Sequence, residues 1–589
     1  MKSRFVVAGS LLLALVASSV ACAQSSKDQL ASRDQERSKA EVFPASTIGY
    51  VEIQPPSKVV NLLLNHPLRD RIESIPQVKQ GLKSKEFAAF LAGVGFAQFY
   101  TGMEWEESLD TLAGQGIAIG FDPKQNAVGG VFVTAHPDKL PKLFRGLLKL
   151  ANQNEQTKVN EGEYRDNKAY AVGKQLFLVM LNDRVLVSNK KAMVKQMADS
   201  WLDSDSKSLA STKGFQESRE TAGNKTVWSW GNLKAIRDAG LAKELFREKT
   251  ENIGAELIVG GFLEATRTAN EVSASFDLRE DGLKLSVQTS LDTAKVPIHR
   301  SYFFGSTEER KEFEKLELDN TLAEIVAFRD LGKLWLSKEE LFEEAHLAEL
   351  SQADSTLSTL FSGLDFGEDV LGSTLPGFQI ISRNQDYSKL ETPKPDIRIP
   401  EFAFVFRLKP GNENVKRRFR VSYQSFIGFL NIQLAQQGQP QLEVESEKVG
   451  KSRIVSATYL PDEGKQYQGV INYNFSPSLA FADQWFIVSS TRKLATDLAE
   501  AGLKKSVAND PKTNTSVVVH GKKVKQILEQ NSEQLIAQNM LEEGNDREEA
   551  KEQIDLLLQV IGLLRQASMN VEVEDGQLRM DLGLQIENK

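Results

Sequence analysis

Apolar and polar positions alternate along Ser273–Leu278, break at Glu280-Asp281-Gly282, and alternate again along Leu283–Leu291. A period of two on both sides of a tight Gly turn predicts a β-hairpin, with Gly282 at positive φ. A second Glu-Asp-Gly, at 574–576, predicts the same turn. Elsewhere the period changes to that of a helix. Leu140, Leu143, Phe144, Leu147, Leu148 and Ala151 follow Pro137-Asp138 and predict a helix with one buried face; Val415, Phe419, Tyr423, Phe426 and Leu430 predict another. Strand-like runs lie close together, as in Gly116–Phe121 before Gly129–Val133. Strand pairs with short turns between them imply a mainly antiparallel sheet covered by helices on one face, an α+β fold.

The pattern then repeats. Thr47–Ile53 opens a first series of blocks and Thr321–Ala327 a second. Gly129–Val133 leads through Pro137 into a helix, as Phe402–Phe406 leads through Pro410. Arg184–Ser188 matches Trp485–Ser489, each before a basic helix start. Asn224–Gly231 matches Asn514–Gly521, and the two Glu-Asp-Gly hairpins close the series. Blocks in one order, separated by loops of differing length, predict two diverged copies of one domain rather than a solenoid.

The first 23 residues are of a different kind. Lys2 and Arg4 precede an apolar run from Phe5 to Val16, and Ala21-Cys22-Ala23 offers a small-x-small cleavage site before Gln24. This is the order of a signal peptide, and it predicts export. Cys22 is the one cysteine of the chain. Two readings of it stand side by side. It is either the residue before Ala23 in an ordinary cleavage site, or the first residue of a lipoprotein, with Ser19-Val20-Ala21-Cys22 as an imperfect lipobox. Residues 24–41 are polar and mixed in charge, as in a disordered tether. The sequence thus divides into a signal peptide (1–23), tether (24–41), copy 1 (42–292), linker (293–316) and copy 2 (317–589). The linker carries a charged run from Glu308 to Lys315 that reads as a solvated helix, and Glu391–Asp396 is a Pro-rich loop within copy 2.

Charge and composition narrow the function. Lys and Arg total 72 and Asp and Glu 80; loss of Lys2 and Arg4 leaves 70 − 80 = −10. A mildly acidic chain lacks the basic face that displaces counterions from nucleic acid. Whichever reading of Cys22 holds, the folded domains contain no thiol, and so no disulfide framework, Cys-based metal site or thiol nucleophile.

Candidate chemistry is sparse. Gly114-Gln-Gly116-Ile-Ala-Ile-Gly120 resembles a nucleotide loop, but it runs into a strand, whereas a phosphate loop must open a helix. Close backbone packing explains these glycines. Ser188-Asn-Lys-Lys191 and Ser490-Thr-Arg-Lys493 have Ser-x-x-Lys spacing without the partner motifs of penicillin-recognising enzymes, so helix N-capping is the simpler role. His66, His136, His299, His346 and His520 form no paired metal motif, and Glu343-Glu-Ala-His346 is half of a di-iron set. Acidic runs at Glu104–Asp110, Asp203–Asp205 and Glu542–Asp546, and basic ones at Lys416–Arg418 and Lys522-Lys523, read as solvated faces or helix starts.

The order of blocks, from the strand near the mature start through Gly116–Phe121 to the Leu-Val-Ser strand that enters a helix, resembles a widespread, uncharacterised family of exported bacterial proteins known as a domain of unknown function. The resemblance implies export and supplies no catalytic residue. The expectation is an exported non-enzymatic protein, a binding, scaffold or envelope-maintenance module, periplasmic, extracellular or membrane-anchored through Cys22. No metal, cofactor or nucleic acid is expected, and the partner would be a protein or another envelope component. Two readings stay open: an extracytoplasmic carrier of an apolar ligand such as lipid, and a hydrolase with an unannounced site.

Overall fold

The computed structural model describes residues 38–587, apart from 67–68, 74–75, 154–157, 204–205, 252, 362, 391, 412, 461–470, 505 and 575. The signal segment, Cys22, Ala23 and nearly all of the tether therefore lie outside the described residues. The chain forms two compact units that are not contiguous in sequence. Unit 1 holds the described residues up to Ala242 together with Ala269–Gln288; unit 2 holds Lys243–Thr268 and Thr289–Glu587.

In unit 1 the strands are β1 (Gly49–Ile53), β2 (Ile117–Asp122), β3 (Ala127–Val133), β4 (Val159–Tyr164), β5 (Asn167–Val172), β6 (Leu176–Met180), β7 (Arg184–Ser188), β8 (Val227–Asn232), β9 (Glu271–Arg279) and β10 (Gly282–Ser290). They pair in the order β4-β5-β6-β7-β3-β2-β1-β8-β9-β10, antiparallel wherever the register is defined. The helices that shape the unit are α1 (Pro56–Leu64), α2 (Lys85–Thr101), α3 (Trp105–Ala113), α4 (Leu140–Ala151) and α5 (Lys191–Leu202).

Unit 2 contributes β11 (Thr321–Ala327), β12 (Thr374–Arg383), β13 (Glu401–Leu408), β14 (Leu442–Val449), β15 (Ser452–Tyr459), β16 (Ser478–Ala482), β17 (Trp485–Ser489), β18 (Thr513–His520), β19 (Leu564–Glu574) and β20 (Gln577–Ile586). Their order is β14-β15-β16-β17-β13-β12-β11-β18-β19-β20, again antiparallel. The molecule is α+β with mainly antiparallel sheet. Unit 2 also holds α6 (Ile253–Thr268), α7 (Glu344–Leu360), α8 (Glu413–Gln436) and α9 (Arg492–Lys504).

Helices cover both faces of the sheet, not one. Val131 and Val133 of β3 pack with Met193, Val194 and Met197 of α5, while Phe132 between them packs with Leu140 and Phe144 of α4. Unit 2 does the same: Ala403 and Val405 meet Leu494 and Leu498 of α9, and Phe406 meets Phe419 of α8. A strand buried on both sides must be apolar at every position, as Val131-Phe132-Val133 is. Glycine allows the close approach. A Cβ on Gly129 would lie 2.5 Å from Met197 Sδ, and one on Gly120 would lie 2.5 Å from the Phe43 ring.

The linker 293–316 is solvated only in part: Thr307, Glu308, Glu309, Lys311 and Glu312 are exposed, whereas other side chains of the stretch are buried. Tyr302, Phe303 and Phe304 enter a core cluster of unit 2. Arg310 is buried as well, and donates to the carbonyls of Phe304 at 2.8 Å and Pro511 at 2.9 Å. Its charged neighbours sit on the short helix Thr307–Lys311, whose start is a capping box between Ser306 and Glu309. Both Glu-Asp-Gly glycines have positive φ, 148° at Gly282 and 73° at Gly576.

Candidate functional site

Local structure accounts for the motifs singled out in the sequence. Gly114 presses on Ala135 and the Asp110 carbonyl, and Gly116, at φ 99°, faces the Ile53 carbonyl, so these glycines serve packing. Neither serine of the Ser-x-x-Lys pairs is a helix cap. Ser188 Oγ donates to the Val128 carbonyl at 2.8 Å and accepts from the Lys190 amide at 3.1 Å. Ser490 Oγ accepts from the Phe402 amide at 2.8 Å, and the α9 cap is Thr491, whose Oγ1 accepts from Leu494 N at 3.2 Å. Lys493 is engaged by Asp497. Among the described residues no three His, Cys, Asp or Glu side chains converge as a metal set.

The acidic and basic runs are likewise spoken for. Glu107 pairs with Lys139 at 2.8 Å, Asp203 with Arg165 at 2.7 Å, and Lys416 with Glu413 at 2.7 Å. Asp546 heads a capping box on Arg547–Leu563. Asp205 lies outside the described residues. His520, at the end of β18, is held below its ordinary 6.5 by burial, then by Lys523 and Arg565. The folded chain therefore binds fewer protons there than the unfolded chain does just below pH 6.5. The resulting stability is full above 6.5 and is lost as pH falls through the folded pKa. His520→Gln should flatten that loss, read as melting midpoints between about pH 5 and pH 7.5.

Sequence reasoning missed a buried ionic cluster in unit 2, because its members are isolated in the chain. Glu256, on α6, is fully buried. Its Oε1 accepts from Arg300 Nη1 at 2.8 Å and the Tyr302 hydroxyl at 2.7 Å, and its Oε2 accepts from Thr250 Oγ1 at 3.0 Å. Burial, with the Glu256 carboxylate beside it, pushes the Tyr302 phenol well above its ordinary range and keeps it a donor. Arg300 Nε lies 3.4 Å from Glu264. Arg329, also fully buried, donates to the Leu257 and Ile258 carbonyls of α6, to Asn514 Oδ1 and to Thr515 Oγ1, and stacks 3.5 Å above the Phe303 ring. A carboxylate with both oxygens bonded inside a packed core leaves no place for a substrate. The cluster is a clamp that fastens α6 to unit 2.

The feature of unit 1 that packing leaves unexplained is α2. Ser84 Oγ accepts from Phe87 N at 3.1 Å and starts the helix; Gly102, at φ 62°, ends it by donating to the Gln98 carbonyl at 2.8 Å. Its C-terminal turn lies tight on α4, where a Cβ on Gly146 would come within 2.6 Å of Thr101 Cα. Its outer side carries no such cover. Leu91 is 44%, Phe96 62% and Phe99 80% exposed. A helix apolar all round belongs in a core or a membrane, yet this one shows half its circumference to solvent. No described helix is long and apolar enough to cross a membrane. A small cavity beside Phe313, Gly377, Val405 and Trp485 in unit 2 measures about 10 Å³, room for at most one water.

No family model matches the chain, and no curated protein matches it. Among solved structures it is similar to TP0453 in three crystal forms. Form IV has 8% identity and a TM-score of 0.24, covering 44% of this chain and 81% of that one. Form III has 9% identity and a TM-score of 0.25, covering 49% and 92%. Form I has 11% identity and a TM-score of 0.25, covering 48% and 90%. A likeness of that size bears on neither fold nor function.

Proposed function

We propose that this chain is an exported protein of the cell envelope, assembled from two diverged copies of one α+β module, that works by binding rather than by catalysis. The observation that carries the binding reading is the uncovered apolar side of α2, in a molecule whose buried charged side chains are taken up in packing. The duplication is supported by the strand orders, which become the same when ten is added to each label of unit 1. It is supported again by a repeated ion pair. Glu52 on β1 holds Lys39 at 3.4 Å, and Glu324 on β11 holds Lys315 at 3.3 Å, each lysine coming from the segment just before the first strand.

Export is supported by the order basic residues, apolar run, Ala21-Cys22-Ala23, and by the resemblance to exported bacterial proteins. Cell fractionation with N-terminal mass analysis tests it. The expected product lies in the envelope and begins at Gln24, or at Cys22 with a diacylglycerol-sized addition. A cytosolic chain that still begins at Met1 overturns the reading.

A further inference from the structure

We infer that α2 docks on an anionic lipid bilayer, lying in its surface with its outer arc among the acyl chains. The inference rests on the binding reading above and names the partner. Rotation of 100° per residue places Leu91, Gly95, Ala88, Phe99, Ala92 and Phe96 within one continuous arc of roughly 140°. All of them are exposed, and between Ala88 and Phe99 this arc holds no polar side chain. A Cβ added to Gly95 would meet nothing within 4 Å, so the arc is open along its length. Interfacial helices normally oppose such an arc with a charged face. Here the opposing face rests on α4, and the body of unit 1 serves as the polar side.

Charge selects the occupant. From Pro56 to Met103 the chain has Lys58, Arg69, Arg71, Lys79, Lys83 and Lys85 against Asp70, Glu73 and Glu86, or 6 − 3 = +3, in a chain of net charge −8; the acidic start of α3, from Glu104 on, lies at the opposite, C-terminal end of α2. Lys79, Lys83 and Lys85 are exposed and, with the single carboxylate of Glu86, line an open depression at the N-terminal end of α2, where lipid phosphates would sit as the phenyl rings enter the bilayer. At 1.5 Å per residue the helix is about 26 Å long, short of a hydrocarbon core of about 30 Å, so it lies along the surface rather than across it. Sixteen steps separate Cys22 from Ser38, a reach of up to about 55 Å, so a lipid on Cys22 would keep α2 within range of the same membrane.

Vesicle flotation tests this with the chain from Gln24 onward, which keeps every described residue and removes the apolar signal. The wild type should float with phosphatidylethanolamine–phosphatidylglycerol vesicles. Phe96→Glu/Phe99→Glu should lower its partition coefficient by roughly tenfold to a hundredfold. Lys79→Gln/Lys83→Gln/Lys85→Gln should weaken binding to these vesicles and leave binding to phosphatidylcholine vesicles unchanged. Both phenylalanines are exposed, so the melting midpoint should hold; if the double variant unfolds, Phe99→Gln gives the same sign with a smaller loss. The inference is overturned if the wild type stays at the bottom of the gradient, or if the phenylalanine variants float as it does. It is also overturned if the wild type is a dimer that these variants dissociate, which would make a second copy the occupant. Processing at Cys22 or Gln24 is scored separately, so failed flotation leaves the export reading standing and failed export leaves flotation standing.

Discussion

Arg329→Ala should destabilise unit 2 by about 3–5 kcal/mol, the range for truncating a large, fully buried side chain. The guanidinium is fully buried, and burial lowers its pKa to about 9, still high enough to keep it charged at neutral pH. That charge is tolerated because its donors reach the Leu257 and Ile258 carbonyls of α6, the Phe328 carbonyl, Asn514 Oδ1 and Thr515 Oγ1. Truncation would strip these bonds from the core, leave a cavity beside the Phe303 ring and leave Glu256 with a weaker positive surround. The effect should be local before it is global. Amide exchange followed by mass spectrometry should show α6 losing protection first, with β18 next, while unit 1 keeps its wild-type rates. Equal protection of α6 in the variant and the wild type would refute the clamp.

What the sequence made legible, and what it hid, divides along the range of the interactions. Periodicity located the hairpin at Gly282, the helices at Leu140 and Val415, and the strand blocks, because each is written in neighbouring residues. The α+β class follows from their order. The second covered face of the sheet did leave a trace, the unbroken apolar run Val131-Phe132-Val133, which a reading tuned to alternation passes over. The clamp was hidden for another reason. Glu256, Arg300, Arg329 and Asn514 are far apart in the chain, and each looks like an ordinary surface residue until the fold buries it. The composition of unit 2 was out of reach as well: α6 precedes β9 in sequence, yet it is held by side chains from 300–302 and 329. The exposed arc of α2 had a signal that period alone misreads. An apolar helix predicts burial, and burial is what its outer side lacks.

Gly305→Ala tests how firmly the segment between the repeats is fixed. Gly305 has φ 58° and ψ 174°, a region essentially confined to glycine, so any side chain costs about 1–3 kcal/mol in backbone strain. It is also crowded: a Cβ there would lie 2.2 Å from Cε1 of Phe328, whose ring is 1% exposed and has nowhere to move. Overpacking of this kind adds about 1–3 kcal/mol. The two terms act on one methyl group, so the variant should lose several kcal/mol of unit 2 stability and expose Tyr302, Phe303 and Phe304. Limited proteolysis should then cut within 293–316, where the wild type should resist. Gly363→Ala is the control. Its φ of 82° carries the strain, but nothing lies within 4 Å of the added Cβ, so about 1–2 kcal/mol is expected there. If the two variants melt together, the crowding at Phe328 contributes nothing. If the wild type is cut in 293–316 as readily as the Gly305 variant, the buried aromatic run does not hold the linker.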